Sequence, residues 1–157
     1  MADRKPYVGG NWKMNLHLSE CRELAEGVAH GFKDADQLDV AVFPAFPYLA
    51  EVAGVLEKAG GSVKLGAQDA YFEPDGAFTG EVSLSMLKDV GVQVVLVGHS
   101  ERRHVLGEQD ELINAKLLAA LEAGFEVILC VGEKLDQREA GKTDAVNMAQ
   151  TLAGLAG

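Results

Sequence analysis

Apolar residues along the 157-residue chain follow two rhythms. Short runs rich in valine and leucine, at Tyr7–Trp12, Leu38–Phe43, Ser62–Ala67, Gln93–Gly98 and Glu126–Val131, predict strands. Between them the spacing turns helical. Cys21, Leu24, Ala25, Val28 and Phe32 recur at i, i+3, i+4, i+7 and i+11. The stretch "PYLAEVAGVLEKAGG" opens on proline and closes on two glycines, the usual start and stop of a helix. "EVSLSMLKDVG" predicts a third helix ended by Gly91, and "DELINAKLLAALEAG" a fourth, capped by Asp110 and ended by Gly124. A last helix is expected from about Thr143 to Leu155.

Strand–helix alternation of this kind predicts an α/β fold, a parallel sheet with helices packed on it. The predicted strand ends, Asn11, Phe43, Ala67, Gly98 and Val131, lie roughly 24 to 33 residues apart, one βα unit each time. No linker or shift of composition interrupts them, so residues 1–157 read as a single domain. The strands are continuously apolar, as expected where both faces are covered. A doubly wound sheet and a (β/α)₈ barrel would both give this pattern. No G-x-G-x-x-G follows the first strand and no G-x-x-x-x-G-K-[ST] occurs, which removes the best support for a nucleotide-binding doubly wound fold. In a barrel, functional residues belong at the C-terminal ends of the strands.

Composition narrows the function. Apolar residues make up 48% and charged residues 24%, as in a globular domain. A net charge of −10 argues against nucleic acid or an anionic membrane as the main partner. An anionic metabolite stays possible, because one local cation outweighs distant, screened carboxylates. Cys21 and Cys130 form neither a metal-ligand spacing nor a disulfide framework, and read as reduced structural residues. "MADRKPY" lacks the apolar stretch of a signal peptide, and no apolar run approaches the ~20 residues that span a bilayer. The expectation is a soluble, cytoplasmic chain.

Two strand ends carry the candidate chemistry. In "YVGGNWKMN" the first strand delivers Asn11 and Lys13, which share a face if the chain is extended. An amide beside an ammonium suits a small anionic or oxygen-rich ligand; a solvated strand end would look the same. The fourth strand ends "VVLVGHSERR", with His99 followed by Ser100, placed to cap a turn through Glu101, Arg102 and Arg103. The amide-rich start of a helix disfavours imidazolium, so His99 is expected neutral, able to donate one N–H to a carbonyl oxygen. His17, His30 and His104 read as structural or solvated.

The stretches "GGNWKMN", "AVFPAFPYL", "KLGAQDAYFEPDGAFTGEVS", "VGHSERR" and "VILCVGEKLDQREAGKT" resemble the triosephosphate isomerase family, in order along nearly the whole chain. The resemblance implies a (β/α)₈ barrel and interconversion of dihydroxyacetone phosphate and glyceraldehyde 3-phosphate through an enediolate, with no metal or organic cofactor. It implies that Lys13 supplies positive charge, Asn11 positions the substrate, and His99 is the neutral electrophile and proton shuttle. Glu101 would orient the lysine. It further implies a homodimer in which the loop Ala70 to Glu81 enters the neighbouring subunit, bringing Thr79 near its Asn11. Trp12 and Met14 are expected to pack, with Met14 also bordering that interface.

A full barrel of this type has about 250 residues, and the chain stops after a fifth βα unit. The resemblance puts the carboxylate base at the end of a sixth strand, a closing lid after it, and phosphate-binding amides after strands seven and eight. None of Glu108, Glu111, Glu122, Glu133 or Glu139 matches the base motif, and only Glu133 follows a strand on the right face. The expectation is an incomplete barrel of five parallel strands, inactive alone, with open apolar edges that pair with a C-terminal segment or another copy. The alternative is a non-catalytic barrel fragment acting as an assembly or interaction module.

Overall fold

The computed structural model describes residues 4–33 and 37–157. Met1 to Asp3, the start of the stretch weighed as a leader, lie outside the described residues. Five strands form one sheet: β1 (Tyr7–Asn11), β2 (Asp39–Phe43), β3 (Lys64–Ala67), β4 (Val94–Val97) and β5 (Glu126–Leu129). Each lies inside its predicted run and is shorter at one or both ends.

The strands are parallel and stand in the order β1-β2-β3-β4-β5. Tyr7 pairs with Asp39 and Asn11 with Phe43, Ala41 with Lys64, and Gly66 with Val94. A doubly wound sheet reverses its strand order at a switch point. This one never reverses, so the architecture is that of an incomplete (β/α)₈ barrel.

The chain divides into two compact units, Met1–Gln68 with Ser85–Val95, and Asp69–Leu84 with Leu96–Gly157. In the first, β2 and β3 are buried almost throughout, whereas the outer strand β1 leaves Tyr7 39% and Val8 50% exposed. Helix α1 (Leu18–Gly31) buries Cys21, Ala25 and Ala29, an i, i+4, i+8 stripe of small residues. The expected stripe through Leu24 is therefore rotated, for Leu24 faces solvent. The buried stripe consists of small side chains, which let a helix pack closely. A 3₁₀ turn (Phe46–Tyr48), with proline in its first positions, leads into α2 (Leu49–Ala59), which buries Leu49, Val52 and Leu56. α2 ends on Gly60 at φ 65, a left-handed cap that glycine adopts without strain. Helix α3 (Leu84–Asp89) then precedes β4.

The second unit holds α4 (Ser100–His104), α5 (Asp110–Glu122), α6 (Leu135–Glu139) and α7 (Thr143–Gly154). Asp110 is the first residue inside α5, not its cap; Gln109 takes the cap position, and the Asp110 carboxylate instead binds the Arg103 guanidinium. α6, too short to show a period, was not expected. Among the described residues no helix is long and apolar enough to cross a membrane.

One contact in the first unit sets a tight limit. A Cβ built on Gly66 would lie 2.2 and 2.3 Å from ring atoms of Phe43, which is itself fully buried. The ring lies where a β3 side chain would stand. Gly66→Ala should lower stability by about 1–3 kcal/mol through overpacking, read by urea unfolding. Gly54, on α2, has no atom within 4 Å of its Cβ position, so Gly54→Ala should be neutral or stabilising by about 0.4–1 kcal/mol. Equal effects at both sites would show that the Phe43 ring yields.

Candidate active site

β1 ends at Asn11, and the chain turns out of the extended region within two residues. Lys13 has φ 55, in the left-handed region that a residue with a side chain seldom enters. Asn11 and Lys13 consequently do not share a face as neighbours on a strand. The Asn11 Oδ1 instead accepts the Lys13 backbone N–H at 2.9 Å. That commits the amide oxygen to the backbone and leaves outward donation to the NH₂ group. Trp12 is buried and its N–H continues the ladder to the Phe43 carbonyl at 3.1 Å, while Lys13 is exposed. Met14 is 94% exposed, so it does not pack against the described residues of this chain.

Gln68, one residue past β3, was missed by the sequence reading. Its Nε2 donates to the Lys13 carbonyl and to the Phe43 carbonyl, each at 2.8 Å. Asn15 Nδ2 adds a bond to the Trp12 carbonyl at 3.1 Å. The turn after β1 is thus gripped by three carboxamides.

In the second unit β4 delivers Gly98 and His99. Gly98 has φ 70, and a Cβ there would meet Arg103 Nη2 at 2.9 Å and the Cys130 carbonyl at 3.1 Å. Only glycine turns the chain sharply in that space. His99, and not Ser100, caps α4, its Nδ1 accepting the Glu101 backbone N–H at 3.3 Å. The Glu101 carboxylate also approaches Nδ1, at 3.4 Å. Where Nδ1 accepts this cap bond, Nε2 is the ring nitrogen that can carry a proton.

The two arginines after Glu101 anchor this short helix. Arg103 Nε donates to the Gly98 carbonyl at 2.7 Å, and Nε and Nη2 reach the Cys130 carbonyl at 3.3 and 3.2 Å. Arg102 binds Glu108 Oε1 through Nε at 2.8 Å and Nη2 at 2.7 Å, and Asp69 Oδ2 at 2.8 Å. Behind it Lys116, 2% exposed, donates to both Asp69 oxygens at 3.0 and 2.8 Å and to Glu108. Burial pushes the Asp69 carboxyl up to about 6, against the pull of Lys116 and Arg102. Burial acts on Glu108 too, but hydrogen bonds from Arg102 and Lys116 outweigh it and hold that carboxyl below its usual value.

Glu133 is not poised as a base. Its own backbone N–H and then Arg138 Nε, at 2.7 Å, hold it below the usual carboxylate range, and Thr143 Oγ1 donates at 3.2 Å. The loop bearing Thr79 is closed at its root, where the Tyr71 N–H donates to the Val82 carbonyl at 2.8 Å. The Tyr71 ring packs against Phe72 and Phe78 at 4.8 and 4.9 Å, and Thr79 is exposed.

Parallel strands in chain order, with Asn11 and His99 at strand ends, define an α/β protein of the (β/α)₈-barrel class. The triosephosphate isomerase family model matches residues 6–157. The triosephosphate isomerase of Carboxydothermus hydrogenoformans is 51% identical over 154 residues, covering 98% of this chain and 61% of the relative. That of a Roseiflexus species is 49% identical, with 98% and 60% covered, and that of Thermoanaerobacter pseudethanolicus 48%, with 98% and 61%. The chain belongs to the triosephosphate isomerase family. It spans about three-fifths of the length of the curated relatives it matches.

The charge cluster gives two tests. Between the ordinary Asp value of 3.8 and about 6, the folded chain keeps a proton on Asp69 that the unfolded chain has released. Its contribution to stability is therefore complete below 3.8 and lost as pH rises through about 6. Urea unfolding across this window should show that decline weakened in Asp69→Asn; an unchanged profile would mean that Asp69 is ionised throughout. Lys116→Met should cost about 3–5 kcal/mol in urea unfolding, because it breaks a buried ion pair and leaves Arg102 to face both Asp69 and Glu108.

Proposed function

We propose that these residues form the electrophilic half of a triosephosphate isomerase site, acting on dihydroxyacetone phosphate and glyceraldehyde 3-phosphate in cytoplasmic glycolysis and gluconeogenesis. The bond from the Glu101 N–H to His99 Nδ1 is the observation that carries this reading. With Nδ1 tied to the Glu101 N–H, the Nε2–H is the group that donates to a substrate oxygen as negative charge develops there. A neutral histidine electrophile is the known pattern of this family, which is what suggests this role for His99. Lys13 contributes the fixed positive charge, Asn11 its NH₂ donor, and Glu101 is the supporting carboxylate. The enediolate forms when a carboxylate takes the carbon-bound proton and Nε2–H is donated to the former carbonyl oxygen. Reprotonation at the neighbouring carbon, with return of a proton to Nε2, completes the exchange.

That base comes from outside these 157 residues, since Glu133 is committed to Arg138 and Thr143. The open edge of β1, with Tyr7 and Val8 exposed, supports a second role as an assembly module that accepts a C-terminal segment or another copy. The exposure of Met14 and Thr79 fits a homodimer through the Ala70 to Glu81 loop.

Isomerase turnover by the chain should be about 10²–10⁴ below that of a relative through loss of the base alone. A ³¹P titration with dihydroxyacetone phosphate should still detect binding, weakened about tenfold in Lys13→Ala. Turnover should appear when the chain is joined to the C-terminal residues of the Carboxydothermus relative, and vanish with His99→Gln. Turnover indifferent to His99→Gln and binding indifferent to Lys13→Ala would overturn the reading.

A further inference from the structure

Lys13 stands in a backbone conformation that opposes its own side chain, at φ 55. Such a residue persists only where its surroundings over-determine it. Asn11 restrains the Lys13 N–H at 2.9 Å, but that bond is local and moves with the turn. A restraint from a distant part of the chain comes from Gln68, 55 residues on, donating at 2.8 Å to the Lys13 carbonyl. Its second donation goes to the Phe43 carbonyl, also at 2.8 Å.

Both partners are acceptors, so the amide nitrogen must face them and a flipped carboxamide is excluded. An NH₂ group has two hydrogens, one for each carbonyl, which fixes the plane of the group. Phe43 O also accepts the Trp12 N–H at 3.1 Å, and Phe43 is fully buried. Gln68 thereby ties the strained lysine to a buried residue of β2. We propose that Gln68 is a positioning residue, which holds the left-handed backbone of Lys13 and so sets where its ammonium meets the anionic substrate. This deepens the functional reading above and rests on it.

The prediction separates holding from mere support of the fold. Gln68→Met keeps the length of the side chain and removes both donors. It should raise the Kd for dihydroxyacetone phosphate, read by ³¹P titration of the chain, about as much as Lys13→Ala does. In the Lys13→Ala background Gln68→Met should add almost nothing, because its effect runs through the lysine. Additive losses, or an unchanged Kd in Gln68→Met, would overturn the proposal. An unchanged Kd in Lys13→Ala would instead overturn the substrate reading.

A stability cycle decides the backbone claim independently of binding. Lys13→Gly removes the cost of positive φ, so a clamp against that strain should matter less. The drop in the urea midpoint on Gln68→Met should be clearly smaller in Lys13→Gly than in the unsubstituted chain. Equal drops in both backgrounds would show that Gln68 merely packs.

Discussion

The second unit is organised around a lysine ammonium at 2% exposure. Removing such a charge from water costs far more than one hydrogen bond returns, so Lys116 compels partners. Asp69 and Glu108 supply them, and Arg102 restores the balance, two cations against two anions. The groups come from the residue following Gln68, from α4, from the loop after α4 and from α5, so the cluster ties those segments together. Arg102 is two residues from the end of the helix that His99 opens. The short helix that carries the imidazole is therefore held by both arginines, Arg102 through buried charge and Arg103 through the Gly98 and Cys130 carbonyls.

Strand positions were legible because buried parallel strands need unbroken apolar runs, and those runs stand out in any reading. Barrel against doubly wound sheet was less so, since strand order is a property of pairing and leaves no local trace. The α1 stripe was misplaced by the pull of Leu24: periodicity counts apolar residues, but close packing selected Cys21, Ala25 and Ala29. The caps of α4 and α5 were assigned to Ser100 and Asp110 on propensity, whereas His99 and Gln109 hold those positions. Asp110 was drawn off by Arg103, a partner no cap rule anticipates.

The candidate site was legible as a set of residues and not as an arrangement. Asn11, Lys13 and His99 were visible at predicted strand ends. The left-handed turn at Lys13 was not, because the rule that i and i+2 share a face presumes an extended chain. Gln68 gave no signal at all, being an ordinary polar residue after a strand whose partners, Lys13 and Phe43, lie 55 and 25 residues away. Lys116 sits in a helix where a solvated charge would look identical.

The Phe43 ring occupies the place where a side chain on Gly66 would stand, so β2 furnishes the packing that β3 lacks. Those two positions form one shared volume divided between neighbouring strands. Neither can drift by itself: a smaller residue at 43 leaves a void, and a larger one at 66 finds its space taken. Across a lineage, sequence change there must come as a coordinated exchange of bulk from one strand to the other, which makes the pair a place where descent should leave correlated substitutions.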